Sequence, residues 1–283
     1  ARMHLAPLKP EDKAFSLPWR TKVEVMKTGV QPLEDLQVRF GDIVEFVGPS
    51  NVGKTELLMQ ACATCILPRD KHGMESEAVF IDCDLRFNLQ RFVNILISRL
   101  GEVLPAHCQD FCTSRQAIPS SVNSCLTRLH VINCMNFIDV LCALRQVHDF
   151  VHRNETRCIR LVVLDSISAF FWQDRASQEA DGQNKFLNGT LFALKQLMAE
   201  QSILCLASKA TLFSKRGNGG GRSQSDIMGK TWQRMVKYSF ELYRKGEFPN
   251  LQIGARFSVG SAREWIFTVC DSGVVFSPLN TTC

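Results

Sequence analysis

Residues 48–55 read Gly48-Pro49-Ser50-Asn51-Val52-Gly53-Lys54-Thr55, the G-x-x-x-x-G-K-[ST] spacing of a phosphate-binding loop. The run before it, Ile43-Val44-Glu45-Phe46-Val47, is apolar and rich in β-branched residues, and the segment after it is amphipathic. A strand leading in and a helix leading out are the setting this motif requires. Backbone N–H groups of a turning loop converge on a polyphosphate only where side chains do not intrude, and Gly48 and Gly53 leave that room. A helix beginning near Gly53 adds the positive end of its dipole. Lys54 supplies a mobile ammonium for the β- and γ-phosphates, and the Thr55 hydroxyl is placed to take one position on a magnesium ion. The eight residues are therefore expected to bind Mg-nucleotide; hydrolysis does not follow from the loop alone.

The chain has 283 residues, 45% of them hydrophobic, which suits one large α/β domain with extensions. No apolar run approaches the roughly 18 residues a membrane-spanning helix needs, and the opening residues lack the apolar stretch of a signal peptide. A soluble intracellular protein is expected. Most of the 12 cysteines, among them Cys83, Cys134, Cys142, Cys158, Cys205 and Cys270, sit inside apolar runs, where a free thiol behaves as a small hydrophobe in a reducing compartment. Cys62 and Cys65 have C-x-x-C spacing but no second such pair to complete four ligands, so core packing is their expected role. His107, Cys108, Cys112, Cys125, His130 and Cys134 form a looser group whose spacings match no standard metal pattern. No metal beyond magnesium is expected.

Along the chain, apolar runs alternate with helical spacings. Ala78–Ile81 reads as a strand ending in Asp82-Cys83-Asp84, and Leu89, Phe92, Val93, Leu96 and Leu100 as a helix capped by Asn88. Leu129–Ile132 with Ile138, Leu141 and Leu144 repeats the unit. Leu161–Leu164, ending in Asp165, is a further strand; Leu187, Leu191, Leu194 and Met198 mark a helix before the strand Ile203–Ala207. Near-continuous apolar strands alternating with helices predict a mostly parallel sheet covered on both faces. Tyr238–Tyr243 and Trp265–Val269 are expected as late antiparallel strands extending that sheet.

Asp165, at the tip of its apolar strand, has the form of the carboxylate that holds the magnesium shell, directly or through Thr55. Asp84 is the candidate for positioning an attacking water, with Asp82 expected to point to the opposite side of the strand. From Lys209 to Lys245 there are nine basic residues against two acidic ones, a net +7 in a chain that is +5 overall. That charge surrounds the glycine-rich stretch Gly217–Gly221, so Lys215, Arg216 and Arg222 are expected to contact nucleic-acid phosphates. Trp232 and Tyr238 are expected in the core or sheet.

Together these features resemble the RecA-like recombinase family from about Thr28 to the C-terminus, leaving 1–27 as an N-terminal extension and 28–283 as a RecA-like ATPase core. Cys65–Pro68, Val79–Asp84 and Leu164–Arg175 are similar to a recombinase-paralogue group within it. The resemblance implies ATP and magnesium as cofactors and a nuclear role in homologous-recombination repair. There the chain would help load a recombinase on single-stranded DNA, within a complex of sister paralogues. Three departures are specific. Active recombinases carry Glu where this chain has Asp84, one methylene shorter, which implies weak or partner-dependent hydrolysis. They carry Gln where Ala207-Ser208-Lys209 puts Lys209, expected near the γ-phosphate. The F-x-x-A polymerisation segment is not met by Phe15-Ser16-Leu17-Pro18. The alternatives are a fast DNA-dependent ATPase or strand-exchange enzyme, and a scaffold with a vestigial nucleotide site.

Overall fold

The apolar run before the phosphate loop forms a strand and lies near the middle of the sheet. The computed structural model describes residues 25–102, 119–153, 158–176, 185–211, 228–245, 252–257 and 263–277. In chain order these form α1 (Gln31–Asp35), β1 (Ile43–Gly48), α2 (Lys54–Ile66), β2 (Glu77–Asp82), α3 (Leu89–Leu100), α4 (Ser120–Leu126), β3 (Leu129–Asn133), α5 (Phe137–Arg153) and β4 (Ile159–Asp165). They continue with α6 (Phe171–Ala176), α7 (Lys185–Glu200), β5 (Leu204–Ala210), α8 (Gly229–Met235), β6 (Tyr238–Lys245), β7 (Gln252–Phe257), β8 (Glu264–Cys270) and β9 (Gly273–Phe276).

The strands make one sheet in the order β3-β2-β4-β5-β1-β6-β7-β8-β9. Pairing is parallel from β3 through β6 and antiparallel from β6 to β9. The segment starting at Tyr238 thus differs from expectation: β6 lies parallel to β1, Val44 opposite Tyr238, and only its other edge meets an antiparallel neighbour. Helix α8 brings the chain back to the starting end of β1, and that return sets the direction.

Each sheet face has its own core. Val44, Phe46, Phe80, Val163 and Leu206 pack with α2, α3 and α4 on one side. Ile43, Val79, Ile81, Val162, Leu164 and Cys205 pack with α5, α7 and Trp232 of α8 on the other. Residues adjacent along a strand divide between the two clusters, the two-residue alternation of a sheet buried on both faces. Asn88 caps α3, accepting the Arg91 N–H at 2.9 Å, as its sequence position predicts. Cys62, Cys65, Cys83, Cys125, Cys134 and Cys205 are buried, whereas Cys142, Cys158 and Cys270 are exposed, contrary to expectation. Cys142 lies on the solvent side of α5, Cys158 just before β4, and Cys270 at the exposed end of β8.

Candidate functional site

The phosphate loop leaves β1 at Gly48 and enters α2 at Lys54. Both glycines are required by geometry. A Cβ on Gly48 would stand 2.6 Å from the Leu242 carbonyl oxygen of neighbouring β6, and Gly53 caps α2 in the left-handed region at φ +75°. Glycine alone adopts that conformation at little cost. Asn51 also has positive φ, 60°, which asparagine tolerates better than most residues.

Lys54 Nζ folds into the loop and donates to the Gly48 carbonyl at 2.8 Å and the Pro49 carbonyl at 2.6 Å. Burial lowers the Lys54 pKa, with Asp165 and Asp84 acting against it and Arg86 reinforcing it. An anion arriving at the loop would restore what burial takes away. Thr55, one residue on, donates its hydroxyl hydrogen to Asp165 Oδ2 at 2.7 Å. Ser208 of β5 donates to the other oxygen, Oδ1. Asp165 is 2% exposed at the end of β4. Burial raises its pKa, opposed by the Ser208 and Thr55 hydroxyls and reinforced by Asp84 and Asp82. The donor set is a hydroxyl and a carboxylate, hard oxygens that fit magnesium. A cation there would offset the cost of a buried carboxylate. Thr55 and Asp165 are the residues that could hold it, and the cradle from Gly48 to Lys54 is of a kind that takes phosphate oxygens.

Asp84 comes to the same place by its backbone. The N–H groups of Cys83 and Asp84 point at the Asp165 carbonyl, at 2.6 and 3.3 Å. Asp84 is exposed as a residue but its carboxyl group is partly covered, and that burial raises its pKa, opposed by Arg86 and Lys54 and reinforced by Asp82. Asp82 stands opposite Asp165 in the sheet, and its engagement with the following turn, not strand alternation, occupies it. The strand ends at Asp82, whose carboxylate accepts the N–H groups of Arg86 at 3.1 Å and Phe87 at 2.8 Å. Asp82 therefore holds the turn closed, leaving Asp84 as the available carboxylate.

Lys209 is not where the sequence puts it. It is 7% exposed and pairs with Glu45 of β1 at 2.9 Å. Glu45 also accepts from the Trp232 indole at 2.7 Å and from the Ser239 hydroxyl at 2.8 Å. Strand β5 runs beside β1 with Lys209 opposite Val47, so the long side chain lies along the face it shares with Glu45. Trp232 is fully buried in this network, in agreement with its expected core role.

Lys215, Arg216 and Arg222 lie outside the described residues, as do Phe15, His107, Cys108 and Cys112. Cys125 and Cys134 are buried separately in the two cores, and His130 pairs with Glu77 at 2.9 Å. Among the described residues no group of three or more His, Cys, Asp or Glu side chains could hold a metal ion. Sequence reasoning missed two members of the neighbourhood. Ser208 was legible as the polar residue at the tip of the strand that neighbours β4. Arg86, two residues beyond Asp84, had no local signal; its relevance comes from the charges across the fold.

The family model described as Rad51 matches residues 19–118. The chain is similar to the DNA repair protein XRCC2 of Mus musculus, 28% identical over 91% of this chain and 92% of that protein. It is 25% identical to the DNA repair protein XRCC2 homolog of Arabidopsis thaliana, over 84% of this chain and 78% of the other. Similarity extends to the DNA repair protein RAD51 homolog 2 of Homo sapiens, 25% identical over 84% of this chain and 64% of that one.

Proposed function

We propose that the chain, whose residues 19–118 match the family model described as Rad51 and which is similar along most of its length to a DNA repair protein, is an ATP-binding recombinase paralogue of homologous-recombination DNA repair. It binds Mg-ATP at residues 48–55 and Asp165, within a core spanning 28–283. The bound nucleotide chiefly sets its shape and its contacts with sister paralogues in the nucleus. The complex helps a recombinase load on single-stranded DNA, and Lys215, Arg216 and Arg222 contribute phosphate contacts.

The observation that carries this reading is the 2.7 Å hydrogen bond between Thr55 and Asp165, beside a lysine already turned into the loop. It supports metal-assisted triphosphate binding, because the loop lysine neutralises phosphate charge while the hydroxyl–carboxylate pair presents oxygens to the cation. Thr55 and Asp165 would hold magnesium, which when bound would supply positive charge to offset that of the phosphates. Asp84 orients water weakly, since its carboxylate is one methylene shorter than the glutamate of active recombinases and geometry dominates such positioning.

Hydrolysis by the isolated chain is accordingly slow. Steady-state phosphate release, with and without single-stranded DNA, tests this point. Slow release unaffected by DNA is expected, and robust DNA-stimulated turnover would establish a fast ATPase instead. Lys54→Ala tests the nucleotide site itself. Loss of nucleotide retention together with weakened paralogue assembly is expected, whereas both unchanged would identify a scaffold with a vestigial site.

A further inference from the structure

Helix α5 carries a chemistry unrelated to the phosphate loop. His148 and His152 are four residues apart, so they stand one turn above the other on one helix face. Their Nε2 atoms share a hydrogen bond at 3.2 Å, and the rings meet edge to face with centroids 4.3 Å apart at 61°. Two imidazole nitrogens at about 2.05 Å from a tetrahedral ion stand roughly 3.3 Å from each other. The hydrogen bond thus holds the two nitrogens at about the separation that one shared ion requires.

On the other side of the His148 ring, Nδ1 lies 3.8 Å from Asp149 Oδ1, too long for a hydrogen bond but near enough for the carboxylate to add negative charge beside the pair. His152 is exposed and His148 partly so, giving an ion an open approach. Both occupy the last turns of α5, which lead to the start of β4 and hence lie at the sheet end opposite the phosphate loop.

We propose that His148 and His152 form a bidentate site for one divalent transition-metal ion. Imidazole nitrogen suits zinc, nickel and copper and suits magnesium poorly, so the ion is of the former class. Two protein ligands leave the remaining coordination positions to water. By joining successive turns, the ion would stabilise the end of α5 through its preference for the folded state.

The test is a calorimetric titration of the metal-free full chain with nickel(II) and then zinc(II), its accessible thiols first capped with N-ethylmaleimide. His148→Ala, His152→Ala and His130→Ala are compared with the parent. One equivalent of metal is expected to bind the parent and His130→Ala alike, with affinity at least tenfold weaker in either of the other variants. Metal should raise the Tm of the parent by a few degrees and leave that of His152→Ala unchanged. Equal affinity and stoichiometry in all four proteins would overturn the site, as would a parent that binds no more metal than the His148→Ala/His152→Ala double variant. Nucleotide enters none of these readings, so the result stands independently of the ATP site.

Discussion

The Thr55 hydroxyl and the Asp165 carboxylate, 110 positions apart in the chain, meet at 2.7 Å where α2 leaves the phosphate loop. One comes from the first turn of α2, just after β1, and the other from the tip of β4, with only β5 between the two strands. Ser208 at the end of β5 supplies the third member by donating to the same carboxylate. Parallel strands ending on one side of the sheet bring these groups together.

Asp165 is a cost to the folded protein. Burial raises its pKa, with the Ser208 and Thr55 hydroxyls only partly compensating. With a raised folded-state pKa, the stability tied to this group is fully present below the ordinary carboxylate value of about 3.9 and is lost as pH rises through the folded value. Asp165→Asn is expected to raise the Tm of the free protein at neutral pH and to flatten that decline. The same substitution should weaken magnesium-dependent nucleotide binding roughly tenfold or more, about 1.4 kcal/mol. Thermal melts across pH, with and without Mg-ATP, check both halves.

The Lys209–Glu45 pair is buried, and it must be disturbed as a pair. Removing one partner leaves an uncompensated charge in the core, at a cost of about 3–5 kcal/mol. Lys209→Met alone should destabilise by that order, because Glu45 loses its ion-pair partner and is left with the Trp232 and Ser239 hydrogen bonds. Lys209→Met with Glu45→Gln should recover most of the loss. Denaturant unfolding of the two single variants and the double variant measures the coupling directly.

Gly48 is confined by backbone. Its Cβ would meet the Leu242 carbonyl at 2.6 Å, and a main-chain atom in a paired strand cannot rotate away. Gly48→Ala is expected to cost about 1–3 kcal/mol and to weaken nucleotide binding. Ser50→Ala, at an exposed position in the same loop, should stay within about 0.5 kcal/mol of the parent. Urea midpoints of the two variants make the comparison.

If Lys215, Arg216 and Arg222 contact DNA, each neutralised phosphate releases counterions. Replacing all three by Ala should reduce the slope of log affinity against log salt for single-stranded DNA by about 2, at roughly 0.7 per contact. Fluorescence anisotropy over a range of salt concentrations reads the slope. An unchanged slope would remove these residues from the interface.

The central fold was legible because both-face burial writes itself as unbroken apolar runs. Ile43–Val47, Ala78–Ile81 and Leu161–Leu164 all lie within observed strands. Strands β7 and β9 left weaker marks, since Gln252–Phe257 is interrupted by Gly254 and Gly273–Phe276 has only four residues. The direction of β6 was not local information; it depends on pairing with β1, nearly two hundred residues earlier. The turn from β1 into α2 at residues 48–54 and the place of Asp165 at a strand tip were readable from spacing and strand ends. The fate of Lys209 was not, because Glu45 looked like an ordinary strand residue until the sheet placed it alongside. Asp82 and Asp84 were told apart for the wrong reason: β2 ends between them, so the turn and not the pleat divides their roles.

Titration calorimetry with ATP, with and without magnesium, tests the central claim most directly when the full chain is compared with Lys54→Ala and Asp165→Asn. One saturable site is predicted for the parent, dependent on magnesium and lost or strongly weakened in Lys54→Ala, with the magnesium dependence gone in Asp165→Asn. Heats no larger than dilution for the parent, or the same binding in all three proteins, would contradict the account.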